Sequence, residues 1–317
     1  MNILICGATG FIGRNMVEIL SRNKDFNITA VYNKRDKYDL DSPKQIKWIN
    51  SDLRDPRSIK GIFNNIDIVI QAAATTSGSK DIVNSPYLHV TDNAVMNSYL
   101  LKEAYDSKVK HFIFFSCTVM YQSSNKALKE SDWNPRNDLH PRYFGVGHTK
   151  LYIERMLEFY SQISDMKCTA IRHTNIYGDH DKYDLEKSHV FGATITKVMT
   201  AQEHINIWGT GEEERDLLHV YDLASFVEAV IQNQQSPYEM YHCGLGQKIS
   251  ILDLVKKIIK ISGKDYLEIK HDLSQPTIKT SLFLDCSKAM KELGWSPKIT
   301  LDEGIRLTID WWKKNIT

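Results

Sequence analysis

Nowhere in this chain does an apolar run reach the roughly 18 residues that a membrane-spanning helix needs, so no such helix is expected. An excess of one charge is also absent: 40 Lys and Arg stand against 39 Asp and Glu, for a formal net charge of +1. That balance gives no electrostatic footprint for long nucleic acid or an anionic membrane, and the expected partners are small molecules. The five cysteines, Cys6, Cys117, Cys168, Cys243 and Cys286, contain no C-x-x-C pair and read as reduced, cytosolic thiols with no metal site. No basic leader precedes the apolar run Ile3–Cys6, and there is no internal repeat, low-complexity tract or Pro/Gly-rich linker. The expectation is a cytoplasmic chain that folds as one unit with a crevice between two parts.

What is present is enough for a core, since 42% of the 317 residues are hydrophobic and 25% are charged. Short apolar runs at 2–6, 28–33, 46–49, 67–74, 111–116 and 168–176 read as strands separated by amphipathic helices. Phe112-Ile113-Phe114-Phe115 shows no polar alternation, which suits strands covered on both faces. The pattern predicts an α/β fold, a Rossmann-type doubly wound parallel sheet over 1–178 with contributions from 205–235. A smaller C-terminal α/β substrate-binding part is expected over 179–317, with helices near 190–202, 222–233 and 301–314 and a strand at 205–208.

The first strand runs directly into Gly7-Ala8-Thr9-Gly10-Phe11-Ile12-Gly13, which opens a helix. Glycines there permit a tight turn and close approach of backbone to a pyrophosphate, whose charge meets the helix N-terminal N–H groups. This is a dinucleotide-binding turn. A domain that prefers NAD usually ends its second strand on an acidic residue, but here the sequence is Tyr32-Asn33-Lys34-Arg35. Two cations suit a 2′-phosphate, so the expected cofactor is NADP, with NAD the alternative because Asp36 lies close enough to bind the ribose.

By this turn and by motifs farther along it, the chain resembles the extended short-chain dehydrogenase/reductases, the NAD-dependent epimerase/dehydratase family. Gly7, Gly10 and Gly13 match its cofactor motif, Asp52-Leu53 the pair that contacts adenine, and Ala72-Ala73-Ala74 with Asn93 the segments lining the cofactor. The same resemblance puts Ser116, Lys150 and His173 along the cofactor. Farther on, His173-Thr174-Asn175-Ile176-Tyr177-Gly178, Ser188-His189-Val190, Trp208-Gly209-Thr210-Gly211 and Arg215–Asp222 recur in this order in the GDP-L-fucose synthase branch. The resemblance therefore implies a GDP-linked sugar as substrate, faced by Asn175, His189, Val190, Lys197, Trp208, Arg215 and Lys279, and a homodimer built on helices near 93–105 and 147–162. Tyr99, Leu100, Leu151, Met156 and Tyr160 are candidates for its face. Arg215 and Lys279 supply the cations a diphosphate needs, although Arg215 has the alternative of pairing with Glu212, Glu213 or Glu214. His219 reads as a core histidine and Asp222 as a helix N-cap.

The family's catalytic set is a Ser or Thr plus Y-x-x-x-K, and here it is broken. Lys150 is present, but Val146 stands four residues before it, and Cys117 occupies the Ser/Thr position. A one-residue shift of the loop would bring up Ser116 or Thr118 instead. The family's epimerising cysteine in the same loop corresponds to Val119, leaving His189 of that proton pair. Tyr143, three residues before Val146, is the candidate replacement hydroxyl, with Tyr121 and His189 as other proton carriers; His148, rotated by about 200°, should point elsewhere. The catalytic candidates are thus Lys150, Cys117, Tyr143 and His189. The expected function is an NAD(P)-dependent oxidoreductase or epimerase acting at C4 of a GDP-linked hexose, 6-deoxy hexoses included. The alternatives are a 4-epimerase with tightly held NAD, or a homologue that binds without chemistry.

Overall fold

The computed structural model describes residues 1–40, 45–76, 85–185, 188–275 and 280–316. The apolar run at the start becomes β1 (Asn2–Cys6), the glycine turn opens α1 (Phe11–Leu20), and β2 (Asn27–Tyr32) and β3 (Lys47–Asn50) continue outward. After the short α2 (Pro56–Ile59), β4 (Ile68–Gln71), α3 (Thr91–Asp106), β5 (His111–Phe115), α4 (Phe144–Gln162) and β6 (Lys167–His173) build the other side. Together with β10 (Tyr238–Cys243) these strands form one seven-stranded sheet in the order β10-β6-β5-β4-β1-β2-β3. Every pair in it is parallel. The order reverses between β1 and β4, and in an open α/β sheet a ligand binds outside the carboxyl ends of the strands at that reversal.

The smaller part holds β7 (Asn175–Tyr177), α5 (Val190–Thr200), β8 (His204–Trp208), β9 (Glu214–His219), β11 (Lys248–Ser250), α7 (Ile251–Ser262), β12 (Glu268–Asp272) and α9 (Leu301–Asn315), whereas α6 (Val220–Asn233) and α8 (Ser287–Leu293) pack on the core of the large sheet beside α1. One three-stranded sheet runs β11-β9-β7 and a two-stranded one pairs β12 with β8. Two buried clusters cover the two faces of the large sheet, and a third, including Phe191, Ile195, Leu254, Ile258 and Trp312, lies under the small sheets. Among the described residues no helix is long and apolar enough to cross a membrane.

The doubly wound parallel sheet is as expected, with several differences of detail. The run at 67–74 leaves the ladder at Gln71, whose side chain both donates to the Ala73 carbonyl and accepts from the Ala73 N–H, at 3.2 Å each. That frees Ala72–Ala74 to form a loop. The run at 168–176 is two strands, because the chain breaks at Thr174 and β7 pairs with β9. Residues beyond 178 feed the large sheet through β10, whereas β8 belongs to the small part. Asp222 is not the N-cap: His219 holds that place, its Nδ1 accepting from Tyr221 N–H at 3.3 Å. The Asp222 carboxylate instead accepts from the Lys298 and Ile299 N–H groups, at 3.1 and 2.9 Å. All five cysteines are free thiols.

Candidate functional site

The glycine turn fits a dinucleotide by its geometry. Gly7 has φ +72°, and a Cβ there would lie 2.6 Å from the Ala73 Cα, so the β4 loop can close on the turn only against glycine. A Cβ at Gly13 would collide with the Gly7 carbonyl oxygen, while one at Gly10 would meet little beyond that same oxygen at 3.2 Å. The open space over Gly10 is where a pyrophosphate can approach. Gly10 also caps α1 with no side-chain hydrogen bond, and no acidic residue occupies the first turn, so the helix N-terminus is left for an anion. Phe11 and Ile12 pack on the core and hold that end in place.

Beside the turn lies a cavity of about 300 Å³ whose walls include Thr9, Gly10, Arg14, Arg35, Asp36 and Tyr38. Arg14 stacks 4.1 Å over the Tyr38 ring and donates to Glu18 at 2.8 Å. Arg14 and Arg35 both line this cavity, and Lys34, exposed like Arg35, does not. Asp52 is clasped by Arg54, at 2.7 and 2.9 Å, and this pairing holds its pKa down at about 2. Asn33 hydrogen-bonds the same carboxylate, and the Leu53 side chain is core. Asn93 has spent its amide on Thr75 N–H and on the Thr75 and His89 carbonyls, so it shapes the wall of the loop after β4.

At the carboxyl end of β5 two of the catalytic candidates, Lys150 and Cys117, come together. Lys150 donates to the Phe115 carbonyl at 2.7 Å, lies 4.5 Å over the Phe114 ring, and has its pKa lowered by burial. Cys117 sits within its field; burial pushes the thiol pKa up and Lys150 opposes that. Tyr143 is half-buried, and burial likewise raises its pKa against the pull of the Arg215 cation. The same electrostatics place Tyr143 within range of Cys117. His173 donates from Nδ1 to the Thr174 carbonyl at 2.7 Å, and burial lowers its pKa to about 4, which leaves a neutral ring with Nε2 as acceptor. His189 stands at the start of α5, where desolvation of its ring and the Lys182 and His89 charges lower its pKa. His148 is exposed and meets the Phe144 ring edge-to-face at 4.5 Å.

Two hydroxyl candidates are committed elsewhere. Ser116 is buried and donates to Glu154 Oε1 at 2.6 Å. Glu154 in turn pairs with Arg172 at 2.6 Å, and both side chains are at most 5% exposed. Arg172 donates to the Tyr121 hydroxyl at 2.7 Å. Because His242 donates from Nδ1 to the Leu128 carbonyl, its Nε2 accepts the Tyr121 proton, at 2.6 Å. Tyr121 is therefore the middle of a closed buried network and not a proton carrier in the cleft.

On the substrate side, Lys197 and Trp208 are brought together, the ammonium 5.7 Å from the indole centroid. Arg215 Nη1 donates to the carbonyls of Glu214 and Thr280, at 2.8 and 2.6 Å, while the Glu214 carboxylate pairs with Lys248 at 2.5 Å. Asn175 is exposed at the start of β7 and donates to the Asp216 carbonyl at 3.3 Å, and Val190 is the first residue of α5. Lys279 lies outside the described residues. Sequence reasoning missed Arg14, Tyr38 and Glu154; only the i+4 spacing from Lys150 to Glu154 on one helix face signalled any of them.

The reversal in strand order, the glycine turn at it and the lysine beyond it define a dinucleotide-dependent enzyme of the short-chain dehydrogenase/reductase type. Residues 3–244 match the model of the NAD dependent epimerase/dehydratase family, and the chain belongs to that family. It is 27% identical over 98% of its length to 97% of a GDP-L-colitose synthase from Yersinia pseudotuberculosis. It is 26% identical over 99% of its length to 96% of a UDP-glucuronate 4-epimerase from Thermodesulfobacterium geofontis. In fold it resembles the UDP-glucose 4-epimerase of Thermotoga maritima, with a TM-score of 0.87 and 24% identity over 100% of both chains.

Proposed function

We propose that this protein oxidises or reduces C4 of a GDP-linked hexose with NADP(H), using a proton-transfer group other than the family's usual tyrosine. The observation that carries the reading is Lys150 held on the Phe115 carbonyl beside Cys117 at the carboxyl end of β5, with Tyr143 within electrostatic range of both Cys117 and Arg215. Similarity to a GDP-L-colitose synthase and to a GDP-L-fucose synthase supports a GDP-sugar, while UDP-sugar epimerases match as much of the chain. For the cofactor, Arg14 and Arg35 bring two cations to one cavity at the end of β2, against the single acid Asp36 through which NAD would be held.

When bound, the cofactor gives or takes the hydride; the chain's own task is the proton at the sugar oxygen. Burial keeps the Tyr143 hydroxyl protonated at neutral pH, so in the reductive direction it is held as a donor. Lys150, whose ammonium is made more acidic by burial, is the neighbouring cation that supports charge developing on that oxygen. Arg215 and Lys197 would hold the diphosphate and Trp208 a flat base.

The test is incubation with a GDP-linked 4-keto-6-deoxyhexose and NADPH, with loss of NADPH absorbance as the expected result. No loss with that or related GDP-linked keto-sugars rejects the reading. Tyr143→Phe is expected to lower kcat about 100-fold or more while leaving cofactor affinity unchanged, and full turnover would clear this residue. NADPH should bind more tightly than NADH, and Arg35→Ala should erase about 10- to 100-fold of that preference, as measured by the two Kd values.

We also propose a homodimer through α3 and α4. Tyr99, Tyr152 and Phe159 are 38%, 44% and 47% exposed there, which an interface would cover. Leu100, by contrast, is fully buried in the core and drops out of that face. A monomer in sedimentation would reject the dimer.

A further inference from the structure

We propose that Glu213 selects the base of the nucleotide sugar, taking guanine over uracil; this rests on the proposed nucleotide-sugar function and sharpens it. Three glutamates in succession precede Arg215, and they have different surroundings. Glu212 is exposed and accepts from Thr210 at 3.1 Å, and Glu214 is paired with Lys248 and Ser281. Glu213 is only 8% exposed, and its Oε1 has no hydrogen-bond partner among the described residues. A buried carboxylate oxygen left unbonded costs stability, so a group that returns the missing hydrogen bonds is expected.

Its position says which group. Glu213 lies on the connection between Trp208 and Arg215, and this connection is pinned by the Ile251 N–H donating to the Glu213 carbonyl at 2.9 Å. Ser250 pairs with Glu214 and Ile249 with Arg215, so the extended alternation puts Glu213 on the same face as Arg215. Burial lowers the Arg215 pKa and the Glu213 charge opposes that, so the two charges lie within range of each other. A ligand that lays a diphosphate on Arg215 and a flat ring toward Trp208 passes this carboxylate. Guanine presents two adjacent donors, N1–H and the N2 amine, which match the two oxygens of a carboxylate. Uracil presents one N–H between two carbonyls, so the second oxygen would face an acceptor.

The experiment measures Kd for GDP, IDP and UDP with the wild-type protein and with Glu213→Gln. The wild type should bind GDP about 10- to 100-fold more tightly than UDP, with IDP, which lacks the N2 amine, in between. Glu213→Gln should remove most of that spread and leave UDP within about twofold, because an amide oxygen is a weaker acceptor than a carboxylate. The wild-type comparison of GDP with IDP needs no variant, so a folding defect in Glu213→Gln cannot hide the answer. Binding of UDP as tightly as GDP, or an unchanged GDP/UDP ratio in the variant, overturns this inference alone. Binding of no nucleotide overturns the nucleotide-sugar reading with it.

Discussion

Lys150→Met should lower kcat by about 10² to 10⁴-fold with little change in the Kd of the nucleotide sugar. Methionine keeps the unbranched stem and removes the ammonium, so the packing over Phe114 survives and the charge does not. The stem enters from α4 and its Nζ is held by the Phe115 carbonyl, which fixes the cation at the carboxyl end of β5 beside Cys117. Since Val146 replaces the usual tyrosine one turn earlier, Lys150 has no hydroxyl at that spacing to activate. Its contribution is then its own charge and proton. Steady-state kinetics with a separate binding measurement distinguish the cases: a loss confined to KM would make Lys150 a binding residue only, and undiminished kcat would remove it from the chemistry.

The second large effect is on stability. Glu154→Ala should cost about 3–5 kcal/mol, because it leaves the Arg172 guanidinium buried without its counter-charge. Three bonds go at once: two from Arg172 to Glu154, at 3.0 and 2.6 Å, and one from Ser116. Denaturant unfolding should show a lower midpoint at nearly constant slope. Adding Arg172→Met to that variant should recover part of the loss, since two apolar replacements remove both charges together. A change under about 1 kcal/mol in the single variant would mean that water reaches Arg172. The network matters for the site because Ser116 immediately precedes Cys117, and Tyr121 closes the same loop.

How much of this could be read in the residues depends on how far apart the partners are in the chain. The glycine turn is seven consecutive residues after an apolar strand, and its use follows from the turn itself. Lys150 is marked by helical spacing, and the large sheet by strands with no polar alternation. The helix α7 also carries local signals: Ser250 caps it by accepting from Asp253 N–H at 3.0 Å, and Gly263 ends it at φ +73°. Tyr121 and His242 are different, since the bond between them spans 121 residues. Nothing local marks either one as the other's partner. Arg14 on α1 likewise comes to one cavity with Arg35 through the packing of α1 beside the chain leaving β2.

The dinucleotide turn, the parallel sheet, Lys150 and, by the family resemblance, the valine where a tyrosine is usual are legible along the chain, because each is a pattern within one element or at its edge. The tertiary structure alone decided which hydroxyls are available and which acids are spoken for. It buried Ser116 and Tyr121 in a closed network and left Tyr143 half-buried within electrostatic range of Arg215. Of the three glutamates before Arg215, it left only Glu213 buried with an unbonded oxygen. Those outcomes depend on where distant segments pack. The desolvation and hydrogen bonding that decide a side chain's chemistry come from neighbours that the chain order does not name.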